Sequence, residues 1–360
     1  MNTESRQAAE TIDGVSRAIA GWAATRLLER APGIQVRYGA SAERLWKAEM
    51  LQRLGHLAVA VAFDRVELLV EQVQWSRVAF SSRQIQDIDV VESMHALRDV
   101  LAEQLPKQAM VACRLIDEAL KRVFGTPVPQ PSSLLDATGG DSTAARLYLL
   151  HLLERNRDRA WHVVHGARLS GRSLAQVYER ILVPSMAEVG RMWHMQEASV
   201  ADEHFVTHAT QSMMAQLRMD VPVEGERPWR VLAASVGGDH HDMGVRMLAD
   251  LFEVAGWKVD CLGANTPADE IVVMLDACQT GRPIHVLALG VGSSLSLRPL
   301  ADTIAAVRAS RAAEGVRIIV GGQPFQIVPD LWKLMDADAC APNFSDAVEQ
   351  SERLMAPARS

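Results

Sequence analysis

The stretch WRVLAASVGGDHHDMG, residues 229–244, decides the reading of this chain. Its first half is a short β-rich apolar run with the length of a buried strand. Its second half is a polar, glycine-rich loop, and GVRMLADLFEVAG (244–256) continues from it with helical periodicity. Similar apolar runs return at WKVDCLG (257–263), IHVLALGVG (284–292) and VRIIVGG (316–322), each followed by a loop and an amphipathic helical stretch. Strands alternating with helices predict a flavodoxin-like (Rossmann-type) parallel sheet with helices on both faces, over 228–358.

Upstream the period is helical throughout. Four segments, 143–156, 158–171, 173–196 and 199–219, have short connections and predict a four-helix bundle over 141–220. Before it, GTPVPQPSSLLDATGGDS (125–142) is rich in Pro, Gly and Ser and reads as a linker over 127–140. Residues 1–126 read as an all-helical module, with Ser41 capping one long helix over 43–75 and two amphipathic helices near 84–103 and 106–124. The class is multidomain, α followed by α/β.

The chain has 360 residues, 48% hydrophobic and 22% charged, which is the balance of a globular protein with several cores. A net charge of −7 leaves no electrostatic footprint for direct nucleic-acid or anionic-membrane binding. The first residues lack the pattern of a signal peptide, and no apolar run has the length of a membrane span. Four cysteines (Cys113, Cys261, Cys278, Cys340) are widely spaced and read as reduced thiols. The expectation is a soluble, cytoplasmic protein. No Ser–His–Asp set, phosphate loop or metal-hydrolase cluster argues for a free-standing enzyme.

In a doubly wound sheet, ligands sit beyond the carboxyl ends of the strands. The loop after the first strand holds Asp239-x-His241-x-x-Gly244. A carboxylate two residues before a histidine can accept one ring N–H, which fixes the tautomer and makes the other nitrogen a better metal ligand. Gly244 lets the backbone lie close to a bulky group. The bland alternative is a polar loop whose histidine bonds nearby carbonyls.

Asp-x-His-x-x-Gly after a first strand resembles the base-off, histidine-on cobalamin-binding domains of methionine synthase and the corrinoid methyl carriers. The resemblance implies that His241 ligates cobalt from below while the cofactor's own base enters a slot. That slot is lined by a Ser-x-Leu element and a Gly-Gly pair. Gly321-Gly322 matches the pair; spacing puts the other element at Gly290-Val291-Gly292, whereas the literal match is Ser293-Ser294-Leu295.

Trp193 is followed after nine residues by Glu203-His204. This is similar to the cap of the cobalamin-dependent photoreceptors, whose founding members are light-responsive repressors. That likeness implies that Trp193, Val200, Glu203 and His204 pack over the upper face and hold the 5′-deoxyadenosyl group of adenosylcobalamin. It also implies that His194 takes the upper cobalt position after illumination.

Residues 141–355 carry the resemblance. The N-terminal module has no helix-turn-helix; it holds His56, His95, Trp46, Trp75 and Cys113. Some family members, the photocobilins, pair cobalamin with biliverdin, so a second tetrapyrrole is an expectation here without an anchoring residue. The function implied is a light sensor acting through homo-oligomerisation or a downstream protein partner. Two alternatives stand beside it: a corrinoid methyl carrier of a methyltransferase system, and a regulator sensing cobalamin or another tetrapyrrole without photochemistry.

Overall fold

The computed structural model describes residues 3–125, 133, 135 and 139–356. Most of the linker read at 127–140 therefore lies outside the described residues. The chain divides into two compact units.

The first unit comprises residues 1–130 with the segments Ser293–Arg298 and Gln323–Met335. Its helices are α1 (Thr3–Gly14), α2 (Ser16–Arg30), α3 (Gly33–Tyr38), α4 (Ala42–Phe63), α5 (Val66–Ser82), α6 (Asp87–Gln104) and α7 (Ala109–Phe124). The single helix expected over 43–75 is two. Asp64 takes a left-handed conformation (φ 51°) that ends α4, and its N–H donates back to the last turn. Neither Gly nor Pro marks this break in the sequence; an aspartate tolerates such a φ better than most residues. Ser41 does not cap α4 either: its hydroxyl donates to the Tyr38 carbonyl at 3.1 Å, and a 3₁₀ turn (Gly39–Ser41) leads into the helix. Trp46 is a core residue, 1% exposed and edge-on to Tyr38 and Phe80. Cys113 is half-buried, its thiol donating to the Arg98 carbonyl. Trp75 is exposed.

The second unit holds the bundle and the sheet together (residues 131–292, 299–322 and 336–360). The bundle is α8 (Gly140–Leu153), α9 (Arg157–Leu169), α10 (Leu174–Val177) continuing through a π turn (Tyr178–Leu182) into α11 (Val183–His194), and α12 (Val200–Met219). Along the chain the sheet alternates β1 (Arg230–Val236), α13 (Met243–Val254), β2 (Lys258–Thr266), α14 (Ala268–Cys278), β3 (Val286–Val291), α15 (Leu297–Ala309), β4 (Arg317–Gly322), α16 (Gln323–Ile327), which itself falls in the first unit, β5 (Ala339–Ala341) and α17 (Phe344–Met355). The strands run parallel in the order β2-β1-β3-β4-β5, with Ala233 opposite Ala288 and Leu289 opposite Val320.

Successive side chains of a strand point to opposite faces. Val231, Ala233, Val286, Ala288 and Ile319 cluster with Val245 and Phe252 of α13 and Ala347 of α17. Their neighbours Leu232, Ala234, Leu287, Leu289, Ile318 and Val320 point the other way and are equally buried. Both faces are covered, as continuous apolar strands require. Each such Val, Leu or Ile contributes about 1.5–3 kcal/mol on burial.

Three polar ties fasten the bundle to the sheet domain. Tyr178 donates to the Asp250 carboxylate at 2.6 Å, and Arg218 to Glu253 at 3.0 Å. Glu179 accepts from the N–H groups of Phe344 and Ser345, each at 3.1 Å, at the start of α17. Met247 and Leu251 of α13 complete the bundle's own apolar core. Bundle and sheet thus share a core, which fixes one end of the bundle relative to the loops beyond the strands.

Candidate functional site

After β1 the chain turns outward to β2, while β3 lies on its other side. This is the switch point of the sheet, where diverging loops open a crevice beyond the strand ends. The loop 237–242 occupies it. Gly238 (φ 81°) makes the turn, and its N–H donates to Asn265 Oδ1 at 2.6 Å. Asn265, itself left-handed (φ 52°) at the end of β2, donates its own N–H to the Asp239 carbonyl at 2.8 Å. Ser235 donates its hydroxyl to the His241 carbonyl at 3.1 Å. The loop is thereby held by both neighbouring strands.

Asp239 is the centre of this network and is 1% exposed. Its Oδ1 lies 2.9 Å from both the backbone N and the ring Nδ1 of His241. Its Oδ2 accepts the N–H of Gly292, just past β3, at 2.7 Å. A carboxylate only accepts, so the His241 proton sits on Nδ1 and the lone pair on Nε2. The His241 side chain is 72% exposed. The hydrogen bond from Asp239 holds its basicity above the usual imidazole range, against the partial burial of the ring, and the charge of Glu203 adds to it. One exposed nitrogen, oriented by a buried carboxylate, suits a metal whose remaining ligands come with it.

The glycines have separate reasons. A Cβ on Gly292 would stand 2.4 Å from His241 Cβ, so the residue before the β3 turn must be small for the histidine to lie over it. A Cβ on Gly290 would meet Val245 Cγ2 at 2.4 Å, and one on Gly322 (φ 126°) would meet the Val291 carbonyl oxygen at 1.9 Å. Gly322 thus lets β4 end close against β3, and Gly290 lets α13 approach β3; a Cβ on Gly321 would stand 3.4 Å from the Ala341 carbonyl oxygen of β5. Gly244 faces the Phe344 ring with ordinary contact distance for an added Cβ, 3.8 Å. Ser293 accepts the N–H of Leu295 at 3.1 Å, capping the short 3₁₀ turn Ser294–Ser296.

In the bundle, Val200, Glu203 and His204 follow one another at spacings that share one helical face of α12. Because Glu203 is close enough to act on the His241 charge, this face is directed toward the loop after β1. Trp193 is 48% exposed and Val200 52%, an apolar pair left uncovered at this end of the bundle. His204 is exposed, and Glu203 accepts the Thr207 hydroxyl at 2.8 Å. His194 differs from its neighbour: its Nε2 is buried, and its ring is tilted 50° from that of Trp193 at 6.4 Å.

Two supports were not anticipated. Arg191, nine-tenths buried, donates to Glu188 at 2.9 Å and to Glu197 at 2.6 Å, pinning the turn between Trp193 and Val200. Asn265 anchors the loop from β2. Arg191 looks like any helical arginine in sequence; Asn265 before Pro267 carried the signal of a turn residue.

Comparison with known proteins agrees with this geometry. Residues 229–351 match the family model described as "B12 binding domain", and residues 145–218 match a second of the same description. The chain is 22% identical over 186 residues to dimethylamine corrinoid protein 1 of Methanosarcina mazei, covering 50% of this chain and 82% of that protein. It is 29% identical over 182 residues to the HTH-type transcriptional repressor CarA of Myxococcus xanthus, covering 47% of this chain and 58% of that one. The solved monomethylamine corrinoid protein of Methanosarcina barkeri superposes with a TM-score of 0.52 at 17% identity, over 60% of this chain and all of that one, a likeness of fold. With the Asp239–His241 pair at its switch point, the chain carries a cobalamin-binding domain.

Proposed function

We propose that this protein is a corrinoid carrier: it holds a cobalamin on His241 beneath the helical cap and presents the upper face to a partner enzyme. The observation that carries the reading is the buried Asp239 carboxylate holding His241 Nδ1 at 2.9 Å while the ring stays exposed. The Methanosarcina relatives, named as corrinoid proteins, support it. Bound cobalamin would supply a cobalt centre able to carry an exchangeable group, methyl in this reading. Asp239 orients the imidazole, Asn265 and Gly292 hold Asp239, and the glycine-marked ends of β3 and β4 leave the backbone close-packed beneath.

A second reading has its own observation, the uncovered Trp193 and Val200 at the end of the bundle that also carries Glu203 and His204. An aromatic side chain with a carboxylate and an imidazole at the same end of the bundle suits a bulky group with hydrogen-bond donors and acceptors, such as adenosyl. In that case the protein is a light sensor, and its output passes through self-association or a protein partner. His194, with Nε2 buried, would become available to the cobalt only after α11 rotates or slides. A regulator that binds the cofactor without photochemistry would show the same cap with no response to light.

Absorbance spectra separate these. Purified protein loaded with adenosyl-, methyl- or hydroxocobalamin is recorded before and after green light. Carrier function predicts comparable binding of all three forms, unaffected by Trp193→Ala. The sensor predicts preference for the adenosyl form, weakened by Trp193→Ala, and a stable lit spectrum distinct from that of free cofactor.

A further inference from the structure

The first unit has no role in either reading, yet it includes Ser293–Arg298, the turn that begins one residue after Gly292. Within that unit α4 runs against the turn. His56 Nδ1 lies 3.2 Å from Ser294 Oγ, and both are partly buried. Gly55, one residue earlier, faces the same turn: a Cβ there would stand in ordinary contact, 3.4 Å from Leu295 Cδ2. Asp13 of α1 pairs with Arg298 at the other end of the turn. Burial and the Arg53 guanidinium keep His56 neutral, down to about 4, so the contact is a neutral hydrogen bond across ordinary pH.

On the other side, the N–H of Gly292 is the donor that fixes Asp239 Oδ2, and Asp239 orients His241. Only Ser293 separates Gly292 from Ser294. We infer that the β3 turn couples the cobalamin site to the N-terminal helices, with Ser294 and His56 as the positioning pair that passes the state of Asp239 and Gly292 to the middle of α4. The module is then the reader of the site. The inference rests on cobalamin binding at His241. Coupling of this kind is reciprocal, so loosening the turn from the α4 side must also weaken the cofactor's hold.

Hydrogen exchange on the full chain, with and without hydroxocobalamin, tests it. In the wild type the cofactor is expected to slow exchange over 236–244 and also over 50–60. In Ser294→Ala and His56→Ala, protection over 236–244 should persist while the gain over 50–60 falls by about fivefold, the weight of one net hydrogen bond. The same variants should bind hydroxocobalamin about fivefold more weakly, and His56→Gln, which keeps a hydrogen-bonding group, should restore both. Protection over 236–244 with none over 50–60 overturns the coupling while leaving the site intact. Unchanged protection over 50–60 in Ser294→Ala overturns it as well. Absence of protection at both places removes the cobalamin reading and the coupling together.

Discussion

At His241 the two ring nitrogens have different tasks, and the buried partner of one decides the availability of the other. Asp239 is almost wholly out of water, so its charge depends on donors around it, among them the three N–H groups named above. Asp239→Ala removes the group that selects the tautomer but leaves the nitrogen we propose as the cobalt ligand. We expect the dissociation constant for hydroxocobalamin to rise roughly 10- to 100-fold, as changes behind a metal ligand do, with the helical circular dichroism retained. An unchanged titration would show that the loop backbone orients the histidine without the carboxylate. Gly322→Ala is a stability prediction at the same scale. The φ of 126° and the 1.9 Å approach to the Val291 oxygen leave no room for a methyl group. The expected cost is at least about 2 kcal/mol, read as a lower denaturation midpoint.

Among the elements, the helices of the first unit carry a titration that the site does not. His56 sits on α4 with its protonation suppressed by burial first and by Arg53 second, to about 4. The unfolded chain takes up this proton near the ordinary value of about 6.5. Between these values the unfolded state holds more protons, so stability is complete above about 6.5 and is lost as pH falls toward 4. His56→Gln should flatten that limb. A difference of order 1 kcal/mol, discounted for partial exposure, moves an unfolding midpoint by about 2–4 °C in a unit of this size. Equal acid slopes in the two proteins would mean that His56 charges freely in the folded state.

The elements also mark what the sequence could and could not reveal. β1, β3 and β4 were legible because strands buried on both faces are continuous apolar runs, and the Asp239–His241 loop because it follows the first of them. β5, three residues long, is too short for any period to register. The end of α4 at Asp64 was illegible since neither glycine nor proline signals it. Ser41 has the right residue type for a cap, but its hydroxyl turned to Tyr38 instead. Arg191 and its two glutamates are an ion-pair cluster that only the folded turn brings together.

In the whole molecule, a cap and a sheet share one core, and among the described residues no helix is long and apolar enough to cross a membrane. Tyr178, Arg218 and Glu179 hold the bundle where Glu203 acts on His241. Tyr178→Phe removes the donor from a partly buried Asp250 whose proton is already held up to about 6 by burial. We expect a loss of about 1–3 kcal/mol in the second unit's stability, seen as earlier unfolding of the bundle in hydrogen exchange. Unfolding unchanged from the wild type would show that the apolar core alone positions the cap.

The central claim is that His241 supplies the lower nitrogen to cobalt. Electron paramagnetic resonance of the reduced, paramagnetic cobalt form tests it most directly, because the metal signal is split by the nucleus of its axial nitrogen. The protein is prepared with heavy-nitrogen-labelled histidine and loaded with unlabelled cobalamin. The account predicts that the label changes the splitting pattern in the wild type and has no such effect in His241→Ala. A wild-type splitting that ignores the label would place the cofactor's own base, or no nitrogen, on the metal and contradict the account.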